Sequence, residues 1–160
     1  MNRLLVTVCY VGLLKPAPGT WGSLAGILLF LPIHMYGGPF LLITLTILIS
    51  IVGIFLVKKA TETREDKDPS QIVIDEVAGQ WISLLPVSFG AHSYRMDLIQ
   101  VWPWLLLAFI LFRFFDIVKL GPVKWADDRN DALGVMLDGI FAGFIVALML
   151  IIIAWFYYGY

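Results

Sequence analysis

The stretch FLLITLTILISIVGIFLV (residues 40–57) carries no charged side chain. A helix needs about 20 mostly apolar residues to cross the hydrocarbon layer of a bilayer. Lipid-exposed loops and open strands cannot satisfy their backbone polar groups there, whereas a helix can. The run therefore predicts a transmembrane helix and sets the fold class. On its N-terminal side the uncharged sequence continues back to residue 16, interrupted by MYGGP (35–39), a turn signal that divides it into helices over 20–36 and 40–57. On its C-terminal side KKATETREDKDPS (58–70) is a solvated loop. Further uncharged runs occupy 77–94, 98–112 and 139–160. They predict helices from Asp68-Pro69 to about Pro86, over 102–119 and over 132–157. Asp68 is placed as N-cap, with Pro69 at the first helical position and Gln71 completing a capping box.

Composition agrees. Of 160 residues, 60% are apolar and 14% charged, and the mean hydropathy is +0.88; soluble domains carry roughly 25% charged residues. The expectation is a single-domain (1–160), all-α polytopic membrane helical bundle with about five transmembrane helices. One cysteine, Cys9, leaves no intrachain disulfide, and no Cys/His cluster suggests zinc. The N-terminal stretch has one basic residue ahead of a short apolar core and no small-residue cleavage site, so it reads as mature sequence, a short helix near the interface. Nothing in a net charge of −1 points to nucleic acid.

Basic residues set the orientation. Arg3, Lys15, Lys58, Lys59, Arg64, Lys67, Arg113, Lys119, Lys124 and Arg129 fall at one face of the five-helix scheme and only Arg95 at the other. The positive-inside rule makes the first face cytoplasmic. Acidic residues gather at the same level. Asp75 and Glu76 lie six and seven residues beyond Pro69, about 9–10 Å into their helix at 1.5 Å per residue, and Asp138 lies at a similar depth in the last helix. Arg113 and Asp116, three apart, share a helix face. Charges inside membrane segments are costly and mark function or pair with one another. Gly79, Gly134, Gly22-x-x-x-Gly26 and Gly139-x-x-x-Gly143 permit close helix approach around them.

Several carboxylates without histidine or cysteine suit a hard cation such as Mg²⁺, with Asp75, Glu76 and Asp138 as candidate ligands. Arg113, Lys119 and Lys15 approach the same level and suit a phosphate. KPAPGTWGS (15–23) adds a helix N-terminus with free backbone N–H groups, and Thr20 would cap it or donate to the ligand. Together these describe phosphate transfer at the membrane face. His34 and His92 fall on the opposite side and are set apart from the chemistry.

KPAPGTWGSLAG (15–26), DPSQIVIDEVAGQWI (68–82), FRFFDIVK (112–119) and LDGIFAG (137–143) resemble, in order, the blocks of the bacterial phosphatidylglycerophosphatase A family. The resemblance implies a Mg²⁺-dependent, membrane-bound phosphatase that hydrolyses phosphatidylglycerol phosphate in phospholipid synthesis, with its site on the cytoplasmic side of the bacterial inner membrane. It points to Lys15, Thr20, Ser23, Arg113 and Lys119 for substrate, to Asp68, Asp75 and Asp116 for catalysis, and to Asp75, Glu76 and Asp138 for metal. Relatives without membrane spans look like all-helical bundles. Three positions depart from the pattern: Leu120 where a proline is usual, Asp131-Ala132 in place of Gly-Gly, and Gly139 in place of a second aspartate. Asp127, Asp128 and Asp131 are the acids near enough in sequence to compensate for the last.

Other phosphatase chemistries do not fit. Cys9 lacks an arginine six residues later, there is no DxDx[TV], and the histidines lack arginine-rich surroundings. DGIFAG (138–143) has glycine where a CDP-alcohol phosphotransferase needs arginine. The rival from another class is a small ion or proton transporter subunit, because buried acids also mark ion paths.

Overall fold

A computed structural model of the chain describes residues 2–62 and 69–159. All regular elements among them are helical: α1 (Asn2–Val6), a 3₁₀ turn (Val11–Leu13), α2 (Pro18–Thr61), α3 (Ile74–Tyr94), α4 (Leu98–Val118), α5 (Pro122–Asp127) and α6 (Ala132–Tyr158). The all-α membrane bundle expected from the sequence is what forms. Three helices, α2, α4 and α6, are long and apolar enough to cross a membrane. A count of five crossings is not established on that measure. α3 falls outside it because it carries Asp75, Glu76, Gln80, Ser83 and Ser88.

The break expected at MYGGP is present. Gly38 leaves the helical region (φ 58°, ψ −155°) and is followed by Pro39, inside the 44-residue α2. Only glycine adopts that backbone region without strain, and Pro39 cannot donate the helical hydrogen bond. The chain doubles back there. In the first arm Gly22 lies against Val73 and Gly26 against Gln80, and at the bend Gly38 faces His92. In the second arm Gly53 lies against Met136, and Val57 joins Val6, Ile72 and Ile74 in one apolar cluster.

α3 is the central helix, packed on both α2 and α6, and most of its residues are buried. Its start differs from expectation. The helix begins at Ile74, not at Asp68-Pro69. Backbone donors ahead of it are spent elsewhere: Ile72 N–H donates to the Pro69 carbonyl (2.8 Å) and Val73 N–H to that of Val6 (2.9 Å). Ile72 and Val73 are then buried outside any regular element, so the helix start expected at Pro69 is not used. Asp68 lies outside the described residues. The short N-terminal helix is α1, and its link to Val73 anchors the segment that precedes α3.

α3 and α6 cross at very small separation. A Cβ on Gly139 would lie 2.6 Å from the Asp75 carbonyl oxygen, one on Gly143 2.4 Å from that of Gly79, and one on Gly79 2.3 Å from that of Gly139. Glycine at all three positions lets the backbones touch, which brings Asp75 beside Asp138. Gly134 serves a different contact, against the Ala126 carbonyl of α5. Asp131 caps α6, accepting from the Gly134 N–H at 2.6 Å.

Candidate active site

The start of α3 changes the electrostatic setting of its acids. Asp75 and Glu76 stand in the first turn of α3, not two turns deep as the sequence suggested. Free N–H groups and the helix dipole favour negative charge there by about 0.3–1 kcal/mol. That offsets part of the burial cost: the Asp75 residue is only 5% exposed.

These acids line a cavity of about 220 Å³ with Ala17, Pro18, Gly19, Arg113, Asp116, Lys119 and Asp138, closed by Ser70 and Ile72. Six residues expected from the sequence are thus brought together from three helices and the end of α4. Arg113 donates to Asp116 Oδ2 at 2.8 Å and to Ser23 Oγ at 3.4 Å, so Ser23 serves by orienting the guanidinium. Ser23 is itself tied to the Gly19 carbonyl at 3.0 Å. Lys15 is exposed and Thr20 half-buried. Neither lines the cavity, because the chain turns into α2 between them and the pocket is met by Ala17, Pro18 and Gly19.

Gly19 was not expected. A Cβ there would stand 2.5 Å from Glu76 Oε1 and 3.1 Å from both terminal nitrogens of Arg113. The carboxylate and the guanidinium therefore lie over the first turn of α2. Pro18 has no N–H to offer, and the Gly19 N–H, in the first turn, has no intrahelical acceptor. The signal that could have found it is the Pro-Gly pair at the start of an apolar helix, where a bare backbone suits anion approach.

The Lys119 ammonium donates to Asp138 Oδ2 at 2.8 Å and to Asp127 Oδ1. Of the three acids able to compensate for Gly139, Asp127 alone reaches this network; Asp128 pairs with exposed Lys124 and Asp131 with Arg129. Asp138 Oδ1 also accepts from the Gly139 N–H at 2.7 Å, so both its oxygens are engaged. Asp75 Oδ1 and Glu76 Oε2, by contrast, are buried without a hydrogen-bond partner, as is Arg113 Nε. Buried carboxylate oxygens without donors are costly, and a cation is what their chemistry fits. Among the described residues no three Asp, Glu, His or Cys side chains converge as a metal-ligand group; Asp138, the third acid at this level, is paired with Lys119.

His34 and His92 are remote, as expected. His34 Nδ1 is 2.7 Å from Ser88 Oγ, and His92 faces the bend at Gly38.

Comparison with known proteins matches residues 4–154 to the family model described as Phosphatidylglycerophosphatase A. A protein named phosphatidylglycerophosphatase A from Haemophilus influenzae is 36% identical over 132 residues, covering 82% of this chain and 75% of its own. One of the same name from Escherichia coli is 32% identical over 143 residues, covering 85% and 73%. A Bacteroides thetaiotaomicron protein, provisionally named phosphatidylinositol-3-phosphatase, is 32% identical over 144 residues, covering 87% and 84%. No solved structure matches the chain.

Proposed function

The chain belongs to the phosphatidylglycerophosphatase A family, a family of phosphoric monoester hydrolases, and on that premise we propose that it hydrolyses phosphatidylglycerol phosphate to phosphatidylglycerol and inorganic phosphate. The observation that carries the reading is the 220 Å³ cavity, which sets Arg113 and the start of α2 against two buried, partnerless carboxylate oxygens. The reaction belongs to phospholipid synthesis. The positive-inside bias supports a site at the cytoplasmic face of the inner membrane, where the lipid's acyl chains would stay in the leaflet while its terminal phosphate enters.

In this reading Arg113 binds the non-bridging phosphate oxygens, held in direction by Asp116 and Ser23, and the Gly19 N–H adds a donor. Donors fixed before reaction stabilise charge that develops in the transition state. Asp75 and Glu76, with Asp138 as third acid, would hold Mg²⁺. When bound, the ion neutralises phosphate charge and lowers the pKa of a water. Water attacks phosphorus, the bond to the glycerol oxygen breaks, and that oxygen takes up a proton. Asp68 is the candidate proton carrier. Lys119 pairs with Asp138 and lines the pocket, where it can meet phosphate. Asp116, through Arg113, fixes the approach of the substrate.

The test is phosphate release from the lipid monoester in detergent, with Mg²⁺ and with chelator. Release only with Mg²⁺, abolished by Asp75→Asn in a protein that still melts cooperatively, is expected. Release indifferent to chelator would remove the metal. Running phosphatidylinositol 3-phosphate alongside decides the head group, and equal rates on both lipids would reject selectivity for phosphatidylglycerol phosphate.

A further inference from the structure

At the other end of α3 lies a second, apolar cavity of about 300 Å³, between the C-terminal parts of α3 and α6 and the start of α4. Asp75 and Arg95, the residue that closes α3, are separated by about 30 Å at 1.5 Å per residue. The cavity is walled by Val87, Gly90 and Leu150 with Trp104, Trp155 and Tyr158. The rings of Trp104 and Tyr158 stack with centroids 6.1 Å apart. Trp and Tyr concentrate at the level of lipid head groups, so this cavity opens just beneath that level. α3 leaves room in it: a Cβ on Gly90 would meet nothing within 4 Å.

A polar cleft adjoins it, sharing Ala91 and Met96 and lined by His34, His92, Arg95 and Asp97. Arg95 is exposed, held in the left-handed conformation (φ 51°) that ends α3. It makes no ion pair among the described residues. Asp97 is committed to capping α4, in a box with Gln100 whose side chain accepts from the Asp97 N–H at 3.0 Å. His34 is engaged by Ser88. The mouth thus carries an unpaired guanidinium, with the capping carboxylate of Asp97 in the same cleft, beside an apolar hole.

We propose that this composite cleft binds one phospholipid of the surrounding bilayer, an acyl chain in the apolar cavity and the phosphodiester against Arg95. A hole at head-group depth is reached most readily by a molecule already lying in the membrane. An arginine engaged in no ion pair among the described residues matches phosphate through paired N–H donors. A lipid seated there bridges α3, α4 and α6, which all line the cavity.

The test uses purified protein in detergent titrated with phosphatidylcholine bearing brominated chains, a lipid without a phosphomonoester for the acidic cavity to hydrolyse. Trp104 and Trp155 report its arrival by quenching. Saturable quenching is expected, with affinity at least about tenfold weaker for brominated diacylglycerol, which lacks the phosphate. Arg95→Gln should erase that difference, and Gly90→Phe, which fills the hole, should abolish the saturable component. Both variants should release phosphate at the wild-type rate. An unchanged preference for phosphatidylcholine in Arg95→Gln overturns the proposal, as does saturable quenching in Gly90→Phe. Should Gly90→Phe not fold, the Arg95→Gln comparison decides alone.

Discussion

Lys119 holds its ammonium between Asp127 and Asp138, in a position where burial on its own would lower its pKa. The two carboxylates outweigh burial and hold it above the ordinary lysine range. A group whose folded pKa is raised contributes stability that is complete below its unfolded value, near 10.4, and lost as pH rises through the folded one. The ammonium thus stays charged across the neutral range, and a neutral-range pH profile of hydrolysis would have to come from another group. Its larger role is to keep company with Asp138, only 4% exposed. Removing one partner of a buried pair costs about 3–5 kcal/mol. Lys119→Met should therefore melt well below the wild type in detergent, Lys119→Met/Asp138→Asn should regain most of the loss, and neither should release phosphate. A single variant as stable as the wild type would show that Asp138 does not rely on this lysine. Both residues were legible from sequence, because charge within apolar segments is conspicuous. Their pairing was not, since they stand 19 positions apart with the whole of α5 between them. Gly19 and Ser70 carried no charge to betray them, while Lys15 carried one that the turn into α2 points elsewhere.

Between α3 and α6 the controlling residues are ones with no side chain. The spacing Gly139-x-x-x-Gly143 announced a close helix crossing, and the contacts with Asp75 and Gly79 bear that out. The same geometry explains the departure at position 139. Any Cβ there meets backbone of α3, which cannot swing aside as a side chain could, so an aspartate has no room in this packing. Gly139→Ala should push the helices apart at the level of the site. A loss of about 1–3 kcal/mol is expected for such overpacking, and turnover should fall as Asp75 moves relative to Asp138. Gly90→Ala is the control: its Cβ meets open space, so thermal unfolding should show equal or slightly higher stability, alanine being favoured over glycine in helices by up to about 1 kcal/mol. If the two variants melted alike, the close crossing would not be what glycine secures. The start of α3, by contrast, was misread, because Asp68-Pro69 has every local mark of a helix start. The tertiary hydrogen bond from Val73 to Val6 and the burial of Ile72 override those marks, and no local pattern announces a partner sixty-odd positions upstream.

Across the whole molecule the question is how many times the chain passes through the bilayer. Length and apolarity single out α2, α4 and α6, yet α2 folds back on itself at Gly38 and α3 runs the length of the bundle inside it. A helix wrapped by its neighbours can carry Gln80 and serines without meeting lipid, so modest hydropathy does not exclude a crossing for α3. Charge placement gives the sharper criterion. If α3 crosses, the N-terminal segment and the α3–α4 turn lie on opposite sides, as the bias of basic residues requires. Cys9 is exposed and is the single cysteine of the chain, which makes it a natural reporter for one side. Ser93, exposed at the end of α3, accepts a cysteine with almost no change in size and reports for the other. A membrane-impermeant maleimide should label Cys9 in inverted vesicles but not in intact spheroplasts, and Ser93→Cys in a Cys9→Ser background should show the reverse. Labelling of both from one side would mean that α3 enters and leaves by the same face. The acidic cavity and the aromatic groove would then no longer be assigned to opposite leaflets, and the bundle would have to lie differently in the membrane.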